Sequence, residues 1–307
     1  MIPAVSIIIP ATNEHATLER SLPLILAQDY PDPFDILIID SGSTDGSREW
    51  LTQLATEEPR LHLYLQKPGD FHHAGTRNLG LAITKSERVV FMAGDAMPVD
   101  VKWLANLIRP MQEDARIAGT YGRQLPREDA DIFNRLRTLY NYPETGVVKT
   151  LHDPPMTAKE RFFFSSVNCC LHRKRMGEAR FDEGVPVNED VALSWQLLYS
   201  GWKIAYVPEA AVVHSHNRSP VEILRRYYDN AVTYKHIGIH QSGDRTLAHD
   251  AGGFGHFVLR AMRGKSAKEW QEVGTAMLFG AFGLALGRLH PILPRFIGRR
   301  ISIYGVE

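Results

Sequence analysis

The sequence predicts an α/β fold in which a mainly parallel sheet is flanked by helices and followed by a C-terminal helical extension. Three observations carry that expectation. Short apolar runs, residues 5–9 and 34–39 among them, alternate with stretches whose apolar residues recur at helical spacing. Runs of that kind suit parallel strands buried on both faces. Each ends in a short polar loop, so a doubly wound sheet would gather these loops along one edge, where open α/β sheets bind ligands. The 307 residues, 44% hydrophobic and 23% charged, can build one large core with an accessory segment, and they exclude a disordered or fibrous chain.

Charge and cysteine usage narrow the setting. Lys and Arg number 35 and Asp and Glu 35, so no overall basic field favours nucleic acid as a partner. Cys169 and Cys170 are adjacent, which is unsuited to a disulfide, and no Cys-His spacing resembles a structural zinc site; a reducing, cytoplasmic compartment is expected. Pro10 interrupts the apolar run of MIPAVSIIIP, which has no basic region or cleavage site. It is expected to be the first strand and not a signal peptide.

In chain order, Leu18, Leu22, Ile25 and Leu26 mark a helix with Thr17 as its cap, and residues 34–39 form the second strand. The polar turn 40–46 precedes a helix marked by Trp50, Leu51 and Leu54, and 61–65 is the third strand. A loop over 67–75 carries His72 and His73, which are expected on the surface, and a short helix surrounds 79–83. The run VVFMAGDAMP at 89–98 then reads as a strand that stops at a Gly94-Asp95 turn. Trp103, Leu104 and Leu107 mark another helix, and 117–121 another strand. Regular alternation lapses between 127 and 162, where an inserted loop or flap is expected. Strand-like composition returns at 162–171. Asn188-Glu189-Asp190 caps a helix that Gly201 ends, 203–207 and 211–216 are short strands, and Pro220 opens a helix to about His236. The expected division is a domain over 1–237 and an extension over 238–307. The small residues at 275–287 and Arg288, Arg295, Arg299 and Arg300 suit packing or oligomerisation ahead of contact with acidic lipid, and the apolar part is too short to span a bilayer.

Several side chains are placed for chemistry. Asp95, at a strand's carboxyl end, can hold a divalent cation against a phosphorylated substrate. His214 and His216 alternate, so on a strand both imidazoles share a face and can reach one ion, while a hydrogen-bonded structural pair is the ordinary alternative. Mn2+ tolerates such nitrogen ligands better than Mg2+. Asp40 can read base or ribose donors or form a turn with the next helix, and spacing alone leaves both open. Asp45 is expected to cap that helix. Arg77 begins a helix where a guanidinium and free amides can meet phosphate, against the alternative of a surface arginine. Glu189 and Asp190 either cap a helix or supply a general base. No GxGxxG follows the first strand and no GxxxxGK[ST] occurs, which argues against nicotinamide and P-loop chemistry.

The ordered motifs VSIIIPATNE, ILIIDSGSTDGS, HHAGTRNLGLA, VVFMAGDAMP and NEDVALSWQLLYSGWKIAYVPEAAVVHSH together resemble glycosyltransferase family 2, over roughly residues 2–234. The sub-patterns FMAGDAMP, YGRQLPREDA, NYP, and EDV followed by HSH look most like bacterial rhamnosyltransferase-type members of surface-polysaccharide assembly. The resemblance implies a GT-A, Rossmann-like fold and an inverting transfer of a sugar, with rhamnose from dTDP-rhamnose as the candidate, from a nucleotide-sugar donor to a glycan or lipid-linked acceptor. It implies that Pro10, Ala11, Thr12, Glu14, Asp40 and Ser41 cradle the nucleotide, with Arg77 near the diphosphate and Gly94 and Asp95 at the donor. Asp95 with His214 or His216 would hold Mn2+ or Mg2+, and Asp190, with Glu189 beside it, would be the base. Ala93 stands where the family usually has the first of two acids, so metal binding is expected to depend on the histidines. A non-catalytic nucleotide-sugar binder and a nucleotidyltransferase are the rival expectations.

Overall fold

The computed structural model describes residues 2–153, 158–238 and 247–303. Strands β1 (Val5–Ala11), β2 (Phe34–Asp40), β3 (Leu61–Leu65) and β4 (Arg88–Met92) are joined by helices α1 (His15–Leu26), α2 (Ser47–Glu57) and α3 (His73–Ile83). They pair in parallel in the order β3-β2-β1-β4. Central position explains composition: Ile7, Ile8 and Ile9 of β1 are all fully buried, alternate residues entering the core on either side of the sheet.

The second half departs from simple alternation. It comprises β5 (Met97–Pro98), α4 (Trp103–Glu113), β6 (Ile117–Leu125), α5 (Ile132–Asn141), β7 (Val147–Lys149), α6 (Ala158–Phe162), β8 (Asn168–His172), α7 (Arg173–Met176), α8 (Glu189–Tyr199) and β9 (Lys203–Val213). β8 lies antiparallel between β4 and β6, β6 runs parallel to β9, and β5 and β7 border β9 antiparallel. The strand expected over 162–171 is thus confined to β8, with α6 before it. The two strands expected over 203–216 are one, β9, whose partner β6 absorbs shifts of register between Ile117 and Gly119 and between Gly122 and Gln124. His214 to His216 lie beyond its end.

Other expectations shift for local reasons. Thr17 sits inside α1, whose first amide, at His15, donates to Asp45 Oδ2 from the next loop (3.0 Å). Asp45 also accepts from Ser47 N–H (3.1 Å), but the cap position of α2 is Gly46, so Asp45 binds the first amides of two helices from one residue outside the cap expected of it. Helix α3 starts at His73, earlier than the apolar periodicity showed, because His72 Nδ1 accepts from Gly75 N–H (3.1 Å) and caps it. Within the expected flap, α5 packs Phe133 and Leu136 into a cluster with Ile223, Val258, Met262, Val273 and Ala276.

That cluster joins α5 to the last helices, α9 (Pro220–His236), α10 (Leu247–Ala261), α11 (Ala267–Arg288) and α12 (Arg295–Ile301). Ser219 and Glu222 form a reciprocal capping box on α9, with Pro220 in its first turn, and Ser266 and Glu269 do the same for α11. α11 lies against α9 through Gly280, Gly283 and Gly287. A Cβ on Gly287 would sit 2.5 Å from Tyr228 O, and one on Gly283 would collide with Leu224 O. The small residues therefore serve packing within the chain. No helix of the described residues is long and apolar enough to cross a membrane.

The crowded middle of the sheet yields a test. Gly122 of β6 faces Ala210 O and the Asn168 amide so closely that any Cβ would collide with both. Gly122→Ala is expected to cost about 1–3 kcal/mol or more by overpacking. Urea denaturation followed by circular dichroism checks this, and an unchanged midpoint would contradict the packing described.

Candidate active site

The site forms where β5 meets the end of β9. Met97 pairs with Val213 and Pro98 with Val212. Asp95, two residues before β5, is thereby set beside His214 and His216, just past β9. His214 Nε2 lies 3.3 Å from Asp95 Oδ1 and His216 Nε2 3.5 Å from Oδ2. The two imidazoles are not on a strand as expected, but extended chain beyond β9 gives them the same alternation, and His214 N–H still donates to Leu125 O (2.9 Å).

Gln124, buried near the end of β6, orients the nearer imidazole. Its Oε1 pairs with His214 Nδ1 (2.8 Å), while its amide nitrogen donates to Ser165 Oγ (2.8 Å) and to Tyr142 OH. With the nitrogen occupied, Oε1 can only accept, so Nδ1 carries a proton and Nε2 is the atom turned to Asp95. Burial and the neighbouring His214 push His216 down to about 4, leaving it neutral at physiological pH, the form that ligates metals. Burial works against the Asp95 charge; the His214 hydrogen bond, then His214, His216 and Arg127, outweigh it and hold the carboxyl well below the usual carboxylate range. The donor atoms of Asp95, His214 and His216 all lie within 4.8 Å of one another, so one ion can meet all three. One carboxylate with two imidazoles fits a divalent cation and leaves coordination positions for diphosphate oxygens.

Around this cluster the strand ends close in. A Cβ on Gly94 would sit 3.1 Å from Pro10 O and from Ala11 Cβ, so the ends of β1 and β4 touch there. Arg127, beyond β6, donates to Asp95 O (2.8 Å) and Oδ2 (3.3 Å). Burial, followed by the Asp95 charge, raises Glu14 to about 7, which places Glu14 in the same electrostatic corner. Asp40 is fully buried, and its oxygens accept from Gly42 N–H (3.2 Å) and Ser43 N–H (3.3 Å); the turn-forming alternative is the geometry seen. Ser41 Oγ donates to Gln66 (2.9 Å). Thr12 is exposed, and its neighbour Asn13 locks the loops after β1 and β2 together through Thr44 N–H (2.7 Å) and Ser43 Oγ (2.9 Å).

A second cluster stands at the start of α8. Asn188 there has φ +57° and its side chain donates to Asn230 (3.0 Å); it occupies the cap position with its carbonyl accepting from Ala192 N–H (3.1 Å), but its side chain bonds no α8 amide, unlike the cap expected. Past this left-handed residue Glu189 is buried and Asp190 half-buried, both among polar partners. Arg77 Nη1 pairs with Glu189 Oε1 at 3.2 Å and also donates to His73 O (2.8 Å). Burial opposes the Glu189 charge, and Arg77 and then His73 outweigh it, so Glu189 is lowered. His73, expected on the surface, is in fact partly buried and pushed down to about 4 by burial against the pull of Glu189. Asp190 accepts from Ser166 N–H (2.9 Å) and Val191 N–H (2.8 Å), yet burial and the neighbouring Glu189 raise it to about 6.

Arg127 stands inside a motif quoted above, YGRQLPREDA, but nothing in its spacing pointed at Asp95. Gln124, Ser165, Ser166 and His73 carried no signal either, since each acts by hydrogen bond or charge on a residue far away in sequence.

With residues fit to hold an ion and an acid pair at the carboxyl edge of its sheet, the chain is by its family a glycosyltransferase. The sequence model described as Glycosyl transferase family 2 matches residues 6–176, and the chain belongs to that family. It is 30% identical to the O-antigen chain rhamnosyltransferase RfbN of Salmonella typhimurium, over 98% of this chain and 94% of that one. It is 28% identical to the O-antigen chain rhamnosyltransferase WbaN of Salmonella anatum, over 98% and 95%. Among solved structures it is similar in fold to the mannosyltransferase PcManGT of Pyrobaculum calidifontis in complex with GDP-Man and Mn2+. The TM-score is 0.61 and the identity 18%, covering 94% of this chain and 88% of that one. Staphylococcus aureus TarS 1-349 in complex with UDP-GlcNAc matches with a TM-score of 0.53 and 14% identity, over 98% and 86%.

The orienting bond to His214 can be removed at constant bulk. Gln124→Met is expected to weaken Mn2+ binding by about 10–100-fold, the usual effect of losing such a partner. Calorimetric titration of Mn2+ into nucleotide-free protein checks this; unaltered affinity would show that Gln124 does not orient the imidazole.

Proposed function

We propose that the chain transfers rhamnose from dTDP-rhamnose, with inversion, to a hydroxyl of a lipid-linked glycan at the cytoplasmic face of the membrane. Supporting the sugar and the setting are the two relatives named as O-antigen chain rhamnosyltransferases, similar over nearly their whole length. The observation that carries the chemistry is the opposite treatment of two carboxyls: Asp95 is held ionised against its burial by its hydrogen bond with His214 and by the imidazoles and Arg127 around it, and Asp190 is raised to about 6 by burial and Glu189. Carboxyls pushed apart in this way take different roles, one as an ion ligand and one as a proton acceptor.

Asp95, His214 and His216 would hold Mn2+, with Mg2+ the harder fit for two nitrogens. When bound, that ion neutralises the charge that the nucleoside diphosphate gains on leaving. Asp190 Oδ, held by the Ser166 and Val191 amides, takes the proton of the acceptor hydroxyl. The freed oxygen attacks the anomeric carbon as the bond from that carbon to the diphosphate oxygen breaks, and the configuration inverts. Arg77 keeps Glu189 ionised beside Asp190, which makes Asp190 the stronger base. Pro10, Ala11, Thr12, Glu14, Asp40, Ser41 and Gly94 line the strand ends where the nucleotide would lie.

Asp190→Asn is expected to lower turnover by about 10²–10⁴-fold while a thermal-shift titration with dTDP and Mn2+ stays as in the wild type. Unchanged turnover would remove Asp190 from the role of base. Since the ionised form of Asp190 acts, kcat/KM should fall as pH drops through about 6. Glu189→Gln removes a charge that raises Asp190, so the acid limb of its profile should move to lower pH; a limb that stays in place would separate Glu189 from the titration.

A further inference from the structure

The outer side of the C-terminal helices carries an apolar surface that no part of the described chain covers. With Gly280, Gly283 and Gly287 against α9, the opposite face of α11 presents Leu278 and Phe282, 72% and 58% exposed. The strip runs on through Leu289 and the 3-10 turn His290–Ile292 to α12, where Ile292 is 78% and Phe296 66% exposed. Single exposed apolar residues are ordinary, but an aligned set of this size marks a contact surface.

Its charge is one-sided. From Val273 to Ile303 the chain contains Arg288, Arg295, Arg299 and Arg300 and no aspartate or glutamate. All four arginines are exposed. Large apolar side chains bordered by cations, on a helix whose other face is packed, match a segment that lies in the plane of a membrane interface and meets anionic headgroups. A second copy of the chain would bring the same cations toward one another, since this stretch offers them no acid. The strip cannot insert as a span, because no helix of the described residues is long and apolar enough.

The mount is rigid. Tyr228 OH bonds His290 (2.6 Å), Arg225 donates to Arg300 O (2.9 Å), and Ile303 N–H donates to Asp229 (3.0 Å), all tying the strip to α9. α9 begins four residues after His216, so whatever the strip touches is held at a fixed place relative to the ion cluster.

We propose that the strip formed by Leu278, Phe282, Leu289, Ile292 and Phe296, with Arg288 and Arg295 at its border, docks the protein on the surface of a bilayer rich in acidic phospholipid. The surface stands independently of the sugar-transfer reading, because a vesicle contains neither donor nor acceptor.

The full chain is sedimented with vesicles of phosphatidylcholine alone and with a quarter phosphatidylglycerol. Binding to the anionic vesicles, lost in high salt, is the expected result. Arg288→Gln with Arg295→Gln should lower the partition by about thirtyfold, at roughly fivefold per cation, and Leu278→Ser with Phe282→Ser by about tenfold or more. Thermal shift with dTDP and Mn2+ should be unchanged in both variants, which separates loss of docking from loss of fold or of donor binding. Equal binding to both vesicle types, no binding to either, or a dimer that the Leu278→Ser, Phe282→Ser variant converts to monomer would each overturn the proposal.

Discussion

The site depends on a two-residue ladder. Met97 and Pro98 pair with Val213 and Val212, and that contact, with the Arg127 bonds to Asp95 and the Leu125 and Gln124 bonds to His214, brings a carboxylate from the first half of the chain against two histidines from the second. Without it Asp95 would sit on an open loop, and His214 and His216 would trail from the last strand. The ladder is short because its task is local: it turns the chain after β4 across the carboxyl edge of the sheet. The close approach of Gly94 to Pro10 and Ala11 keeps that crossing tight.

From this corner a hydrogen-bonded path leads to the acid pair. His214 pairs with Gln124, and the Gln124 amide donates to Ser165; Ser166, the next residue, donates its N–H to Asp190. Two adjacent serines thus face the two clusters, and their backbone fixes the spacing between them. Buried polar networks act this way only when every member has a partner, since an unpartnered group in low dielectric is costly. Gln124 meets the condition by engaging both ends of its amide.

Charge is divided between the clusters with little excess on either side. Arg127 stands over Asp95 and Arg77 over Glu189, while Asp190 has backbone amides and, among the described residues, no ion pair of its own. This arrangement leaves Asp190, and not Glu189, the member of the acid pair ready to accept a proton. Arg77, which the family resemblance implies near the diphosphate, lies buried against Glu189, so its ordering effect on the acid pair is the part of its role visible in the fold.

The sequence by itself determined the strands β1 to β4, the helices that follow them and the identity of the chemical side chains, because apolar periodicity and strand-end acids are local properties. Family membership was also legible, as the motifs keep their order along the chain. Only tertiary structure decided that β8 enters antiparallel, that the segment after Arg127 holds a helix packed under the C-terminal extension, and that Thr17 is not a cap. It likewise decided that His73 belongs beside Glu189, that Asp40 is engaged in its own turn, and that the glycines of α11 face α9. The physical reason is common to all of these. Each is set by a neighbour far away in sequence through a hydrogen bond, a charge or a close contact, and spacing along one stretch carries no trace of such a partner.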